Sequence, residues 1–61
     1  MSRPAAGHPL RLLHLEDSEL DHDLTLAHLR RGGLVIEARR VDQEVDFLRA
    51  LDERWDVIVS D

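Results

Sequence analysis

Apolar residues along this chain fall in short blocks, and the blocks alternate between two periods. Leu10 to Leu15 is nearly continuous in apolar character, interrupted by Arg11 and His14. Such a run predicts a strand covered on both faces. Asp17 to Asp21 then breaks the run with helix-start chemistry. Ser18 or Asp17 stands where an N-cap is expected, and Glu19, Asp21 and Asp23 suit the positive helix end. Leu20, Leu24, Ala27 and Leu29 recur at helical spacing and mark the expected buried face. Arg30-Arg31 followed by Gly32-Gly33 is the expected helix end.

Leu34-Val35-Ile36 opens a second strand, expected to run to Val41. Its polar tail, Glu37 to Arg40, predicts an edge position. Asp42 is the expected cap of a second helix. Val45, Leu48 and Leu51 mark one face of that helix, Phe47 flanks it, and Asp52 to Arg54 close it. Val57-Ile58-Val59 is a β-branched run and the clearest strand in the sequence. The order strand, helix, strand, helix, strand predicts a parallel α/β sheet with right-handed crossovers. Met1 to Pro9, with Pro4, Gly7 and Pro9, reads as a flexible tail, which leaves residues 10–61 as one small domain.

Composition narrows the chemistry. Sixty-one residues make at most one domain, and a chain this short buries only about 60% of its unfolded surface. There is no cysteine, which excludes disulfides and thiolate metal sites and fits a reducing compartment. The formal charge of −5 counts against a broad basic surface for nucleic acid. All eight basic residues are Arg, so no lysine chemistry resides in this chain. No run approaches the ~18 apolar residues of a membrane helix. No secretory signal is read in the first residues, and the expected location is cytoplasmic.

The carboxylates carry the functional signal. Glu16-Asp17 follows the first strand, and Asp61 follows the third. Carboxyl ends of parallel strands share one edge, where ligands bind in open α/β sheets. If the first and third strands are neighbours, Glu16, Asp17 and Asp61 meet there. Clustered carboxylates repel, and a divalent cation such as Mg²⁺, which takes hard oxygen ligands, relieves that repulsion. One carboxylate can then attack phosphorus. The simpler reading of Glu16-Asp17 is an acidic helix start, and the two roles are compatible. His14 reads as a satisfied core or edge histidine. His22 and His28 do not share a helix face well, so zinc on them is disfavoured. Trp55 reads as packing.

Three segments together resemble the first half of a response-regulator receiver domain. They are Leu12-Leu13-His14-Leu15-Glu16-Asp17-Ser18, the helix end Arg30-Arg31-Gly32-Gly33-Leu34, and Asp56-Val57-Ile58-Val59-Ser60-Asp61. The resemblance implies a flavodoxin-like, doubly wound parallel sheet, strand order 2-1-3, truncated before strands 4 and 5. It implies that Asp61 is the phospho-acceptor, that Asp17 binds Mg²⁺ directly, and that its neighbour Glu16 helps through water. The implied donor is a phosphohistidine on a sensor histidine kinase or phosphotransfer protein. The parent is then a response regulator or a hybrid histidine kinase with an N-terminal receiver. Receivers also use a Ser/Thr after the fourth strand, a Lys after the fifth and a carbonyl beyond the acceptor. None of these is present, so the isolated chain is expected to be a poor substrate for acetyl phosphate. The exposed third strand is expected to promote self-association.

Two other classes compete. A receiver-like module can dock partners without phosphotransfer, and downstream Ser/Thr and Lys residues would discriminate against it. A small nucleotide- or flavin-binding unit is disfavoured, because Glu16-Asp17-Ser18 stands where a glycine-rich phosphate loop would be.

Overall fold

A computed structural model describes residues 9–60. Asp61 and residues 1–8, and with them all of the expected tail except Pro9, lie outside the described residues. The elements are β1 (Leu10–Leu15), α1 (Glu19–Arg31), β2 (Ile36–Val41), α2 (Glu44–Ala50) and β3 (Val57–Ser60). The three strands form one parallel sheet in the order β2-β1-β3. The α/β class, the parallel pairing and the central position of β1 therefore match the sequence reading.

Strand alternation sends the side chains of β1 to opposite faces. Leu12 packs with Leu26 of α1 and Ile36 of β2, and Leu29, Ala38 and Val59 surround that cluster. His14, on the same face, meets His22 of α1. Leu13 points the other way and is 0% exposed. On its side Arg11 and the Leu13 partner Arg39 both reach Glu53, beyond the end of α2.

That second face is fastened by Trp55. Its indole N–H donates to the Ala50 carbonyl at 2.7 Å. The guanidinium carbons of Arg11 and Arg39 lie 4.5 and 5.1 Å from its ring centroid. Glu53 accepts from both arginines. The Arg39 hydrogen bond is the main cause holding the Glu53 carboxyl below its ordinary range, and the Arg11 hydrogen bond adds to it. The Arg39 guanidinium is raised in turn, chiefly by the same hydrogen bond.

Four local expectations need correction. The face of α1 turned to the sheet is His22, Leu26 and Leu29, whereas Leu20 and Leu24 are 68% and 54% exposed and Ala27 is exposed too. On α2 the buried residue is Ala50, and Val45, Leu48 and Leu51 are exposed. β2 begins at Ile36, two residues after Leu34. The reason is the helix end: Gly33 takes φ 93°, its N–H donates to Arg30, and the Leu34 N–H reaches back to Leu29. That arrangement is a Schellman cap, so Leu34 completes the cap and cannot join the strand. Finally, the N-cap of α2 is Gln43, not Asp42, and its side chain makes no capping bond.

Candidate functional site

The site region is built by the turn from β1 into α1. Ser18 is the N-cap of α1, and its hydroxyl accepts from the Asp21 N–H at 3.2 Å. Glu16 is buried, and its carboxylate accepts from the Ser18 N–H at 3.1 Å. The Glu16 carbonyl accepts from Arg40 at 3.2 Å, and its N–H donates to Val41 at 2.9 Å. Glu16 thus braces the turn that carries the exposed Asp17. A carboxylate fixed on backbone donors near a helix start is favoured by the helix dipole.

Leu15, Glu16 and Asp17 line a cleft of about 280 Å³ together with Asp42 and Glu44. Asp42 and Glu44 follow β2, so the cleft lies over the carboxyl ends of two neighbouring strands. The sequence pattern marks Asp42 as a cap and gives Glu44 no role. The signal available for them was position, because both follow a strand that pairs with β1. Hard oxygen donors from Glu16, Asp17, Asp42 and Glu44 fit the ligand chemistry of Mg²⁺. Among the described residues, however, no three His, Cys, Asp or Glu side chains are arranged to hold a metal ion together.

The third sequence-predicted residue, Asp61, is outside the described residues. The strand leading to it is placed: Ser60 is the register partner of Leu15. Asp61 is the next residue in the sequence, as Glu16 is after Leu15.

A second cleft of about 410 Å³ lies beside β2 and α2. Arg39, Arg40 and Arg49 line it against Asp42, Asp46 and Glu53, so its charges balance. Arg39 is already paired with Glu53, and Arg40 with the Glu16 carbonyl.

The pairing of His14 with His22 was not foreseen. Their Nδ1 atoms are 2.8 Å apart, and both rings are buried. One ring must donate and the other accept, so the contact holds one proton. His22 is held below its ordinary value, first by burial and next by the charge of His14. Arg40 and Arg30 push the same way, and Asp23 opposes them. A depressed histidine binds its proton more readily in the unfolded chain, so stability falls as pH drops below about 6.5, the ordinary value. Urea unfolding midpoints are expected to fall between pH 7.5 and pH 5. A double His14→Leu, His22→Leu variant should flatten that change, since removing both partners leaves no unpaired group. An unchanged slope in the double variant would place the acid sensitivity elsewhere.

No family model matches this chain. No significant match is found among curated proteins or among solved structures. No helix among the described residues is long and apolar enough to cross a membrane.

Proposed function

We propose that this chain is a phospho-accepting receiver module, part of a flavodoxin-like domain working in a cytoplasmic two-component relay. Asp61 is the acceptor. Its carboxylate oxygen forms the new bond to phosphorus as the bond to a phosphohistidine nitrogen breaks, and the donor imidazole is released. Asp17 and Asp61 would hold Mg²⁺ directly, with Glu16 helping through water, and the ion would neutralise charge on the transferring group. The donor is a sensor histidine kinase or phosphotransfer protein.

The supporting observation is the parallel register that pairs Leu15 with Ser60. It puts the residue before the acidic doublet and the residue before Asp61 side by side. The cleft at that end of β1, with its acidic lining, is in keeping with a divalent cation.

Calorimetric titration with Mg²⁺ tests the reading. Asp17→Asn and Asp61→Asn are each expected to weaken binding by about tenfold or more, the scale of one charged interaction. Asp21→Asn, on the first turn of α1, should leave affinity unchanged. Equal affinity in all three variants would refute the shared site.

A further inference from the structure

We propose that the outer face of α1 is an interface for a second copy of this chain, with the two helices docked antiparallel across a two-fold axis. Leu20, Leu24 and Ala27 form an exposed row on that face, and Arg31 continues it. A row spaced alternately by four and three residues is the seam along which two helices pack. By helical rotation it lies opposite His22, Leu26 and Leu29, the residues turned to the sheet. Further strands would extend the sheet in its own plane, and a further helix on that sheet face would lie beside α1. Neither covers a row that points directly away from the sheet. Apolar side chains grouped on an exposed face mark a contact surface.

Charge order selects the occupant and its direction. Glu19 and Asp21 lie in the first turn of α1, and His28, Arg30 and Arg31 in its last. Asp21 and His28 border the apolar row on one side, and Asp23 and Arg30 border it on the other. Among the described residues, Asp21, Asp23, His28 and Arg31 make no ion pair. Arg30 donates from one nitrogen to the Ile36 carbonyl at 3.1 Å, which leaves further N–H groups for a partner.

An antiparallel copy with its Ala27 over Leu24 satisfies this order throughout. By symmetry its Leu24 covers Ala27, and the aliphatic stem of its Arg31 lies on Leu20. On one border Asp21 meets the second copy's His28, and on the other Asp23 meets its Arg30. The axis repeats both pairs, and no like charges meet. A parallel copy would gather the acidic first turns at one end and the basic last turns at the other. Antiparallel helices also set opposite dipole ends together. One patch that meets itself and closes is the usual form of a dimer. A row this short makes a small interface of the transient class, so the dilute chain stays monomeric. The pairing is independent of the phosphotransfer reading.

Sedimentation equilibrium of the 61-residue chain is expected to show a monomer–dimer equilibrium as concentration approaches about 1 mM. Leu24→Lys removes apolar contact at two symmetric positions and should weaken dimerisation by at least about tenfold. Asp23→Arg and Arg30→Asp each set like charges along one border, and each should weaken it by about threefold or more. Mixing those two variants restores opposite charges at both positions and should restore pairing as a heterodimer. Far-UV circular dichroism checks that each variant is folded, and Leu24→Lys does not depend on the contact between Arg30 and Ile36. A chain monomeric up to about 1 mM overturns the proposal. So does a dimer as tight in Leu24→Lys as in the parent, or a charge-swapped mixture no tighter than its components.

Discussion

Leu13→Ala is expected to abolish the cooperative unfolding transition of this chain. Leu13 lies in the central strand and is 0% exposed. Its neighbours across the sheet are Arg39 and Ile58, so no large side chain beside it can collapse into the space without disturbing a strand pair. Truncating a buried leucine costs about 2–5 kcal/mol. A domain of this size is worth on the order of 3–9 kcal/mol in all, and short domains lie at the low end. Leu24→Ala provides the control, because Leu24 is more than half exposed and a surface change of this sort stays within about 0.5 kcal/mol. Thermal melts followed by circular dichroism, at one fixed chain concentration, compare the two. A Leu13→Ala chain that melts like the Leu24→Ala chain would contradict the assignment of the core.

Trp55→Ala is the next largest loss, expected to cost about 2–4 kcal/mol. The indole is half-buried and does two jobs. It donates to the Ala50 carbonyl near the end of α2, and it gives Arg11 and Arg39 a ring to stack upon. Removing it detaches the end of α2 from β1 and β2 together. Trp55→Phe keeps a ring and loses the donor, so its cost should be about 0.5–1.5 kcal/mol. Urea unfolding followed by circular dichroism separates the two variants. Equal losses would show that the hydrogen bond, not the stacking, carries the effect. A Trp55→Ala chain within about 0.5 kcal/mol of the parent would remove the fastening role.

The sheet was legible because each strand announces itself locally. Leu10–Leu15 is bounded by Pro9 and an acidic doublet, and Val57–Ser60 is β-branched, so both were found within a residue of their observed limits. Their adjacency was not legible from the pattern alone; it came from the family resemblance, and the sheet order β2-β1-β3 agrees with it. The face of α1 was not legible, and the reason is specific. Two sets at helical spacing interleave on it, Leu20, Leu24 and Ala27 against His22 and Leu26, and of the expected residues Leu29 alone falls on the face that the sheet buries. Apolar character favours the first set. The sheet buries the second, because His14 on β1 offers His22 a hydrogen-bonding partner eight residues away. A buried histidine is tolerable only when so paired, and no local pattern reveals that.

The acidic site was legible only in part. Glu16-Asp17 stand at the end of β1 as the sequence reading expects, and the local structure adds that the Glu16 carboxylate accepts from the Ser18 N–H, which no sequence pattern announces. Asp42 was misread because acidic residues before a helix look like caps, and here Gln43 takes that place. The cleft it shares with Asp17 depends on β2 lying beside β1, a fact of pairing and not of local sequence.

Paramagnetic broadening by Mn²⁺ in the nuclear magnetic resonance spectrum tests most directly whether the acidic doublet and Asp61 form one cation site. Mn²⁺ shares the oxygen-ligand preference of Mg²⁺ and erases signals near its binding position. The expected result is loss of the Glu16, Asp17 and Asp61 resonances together at the lowest Mn²⁺ concentration, with Asp21 and Asp23 affected later. The contradicting result is loss of the Asp17 resonance while that of Asp61 stays sharp.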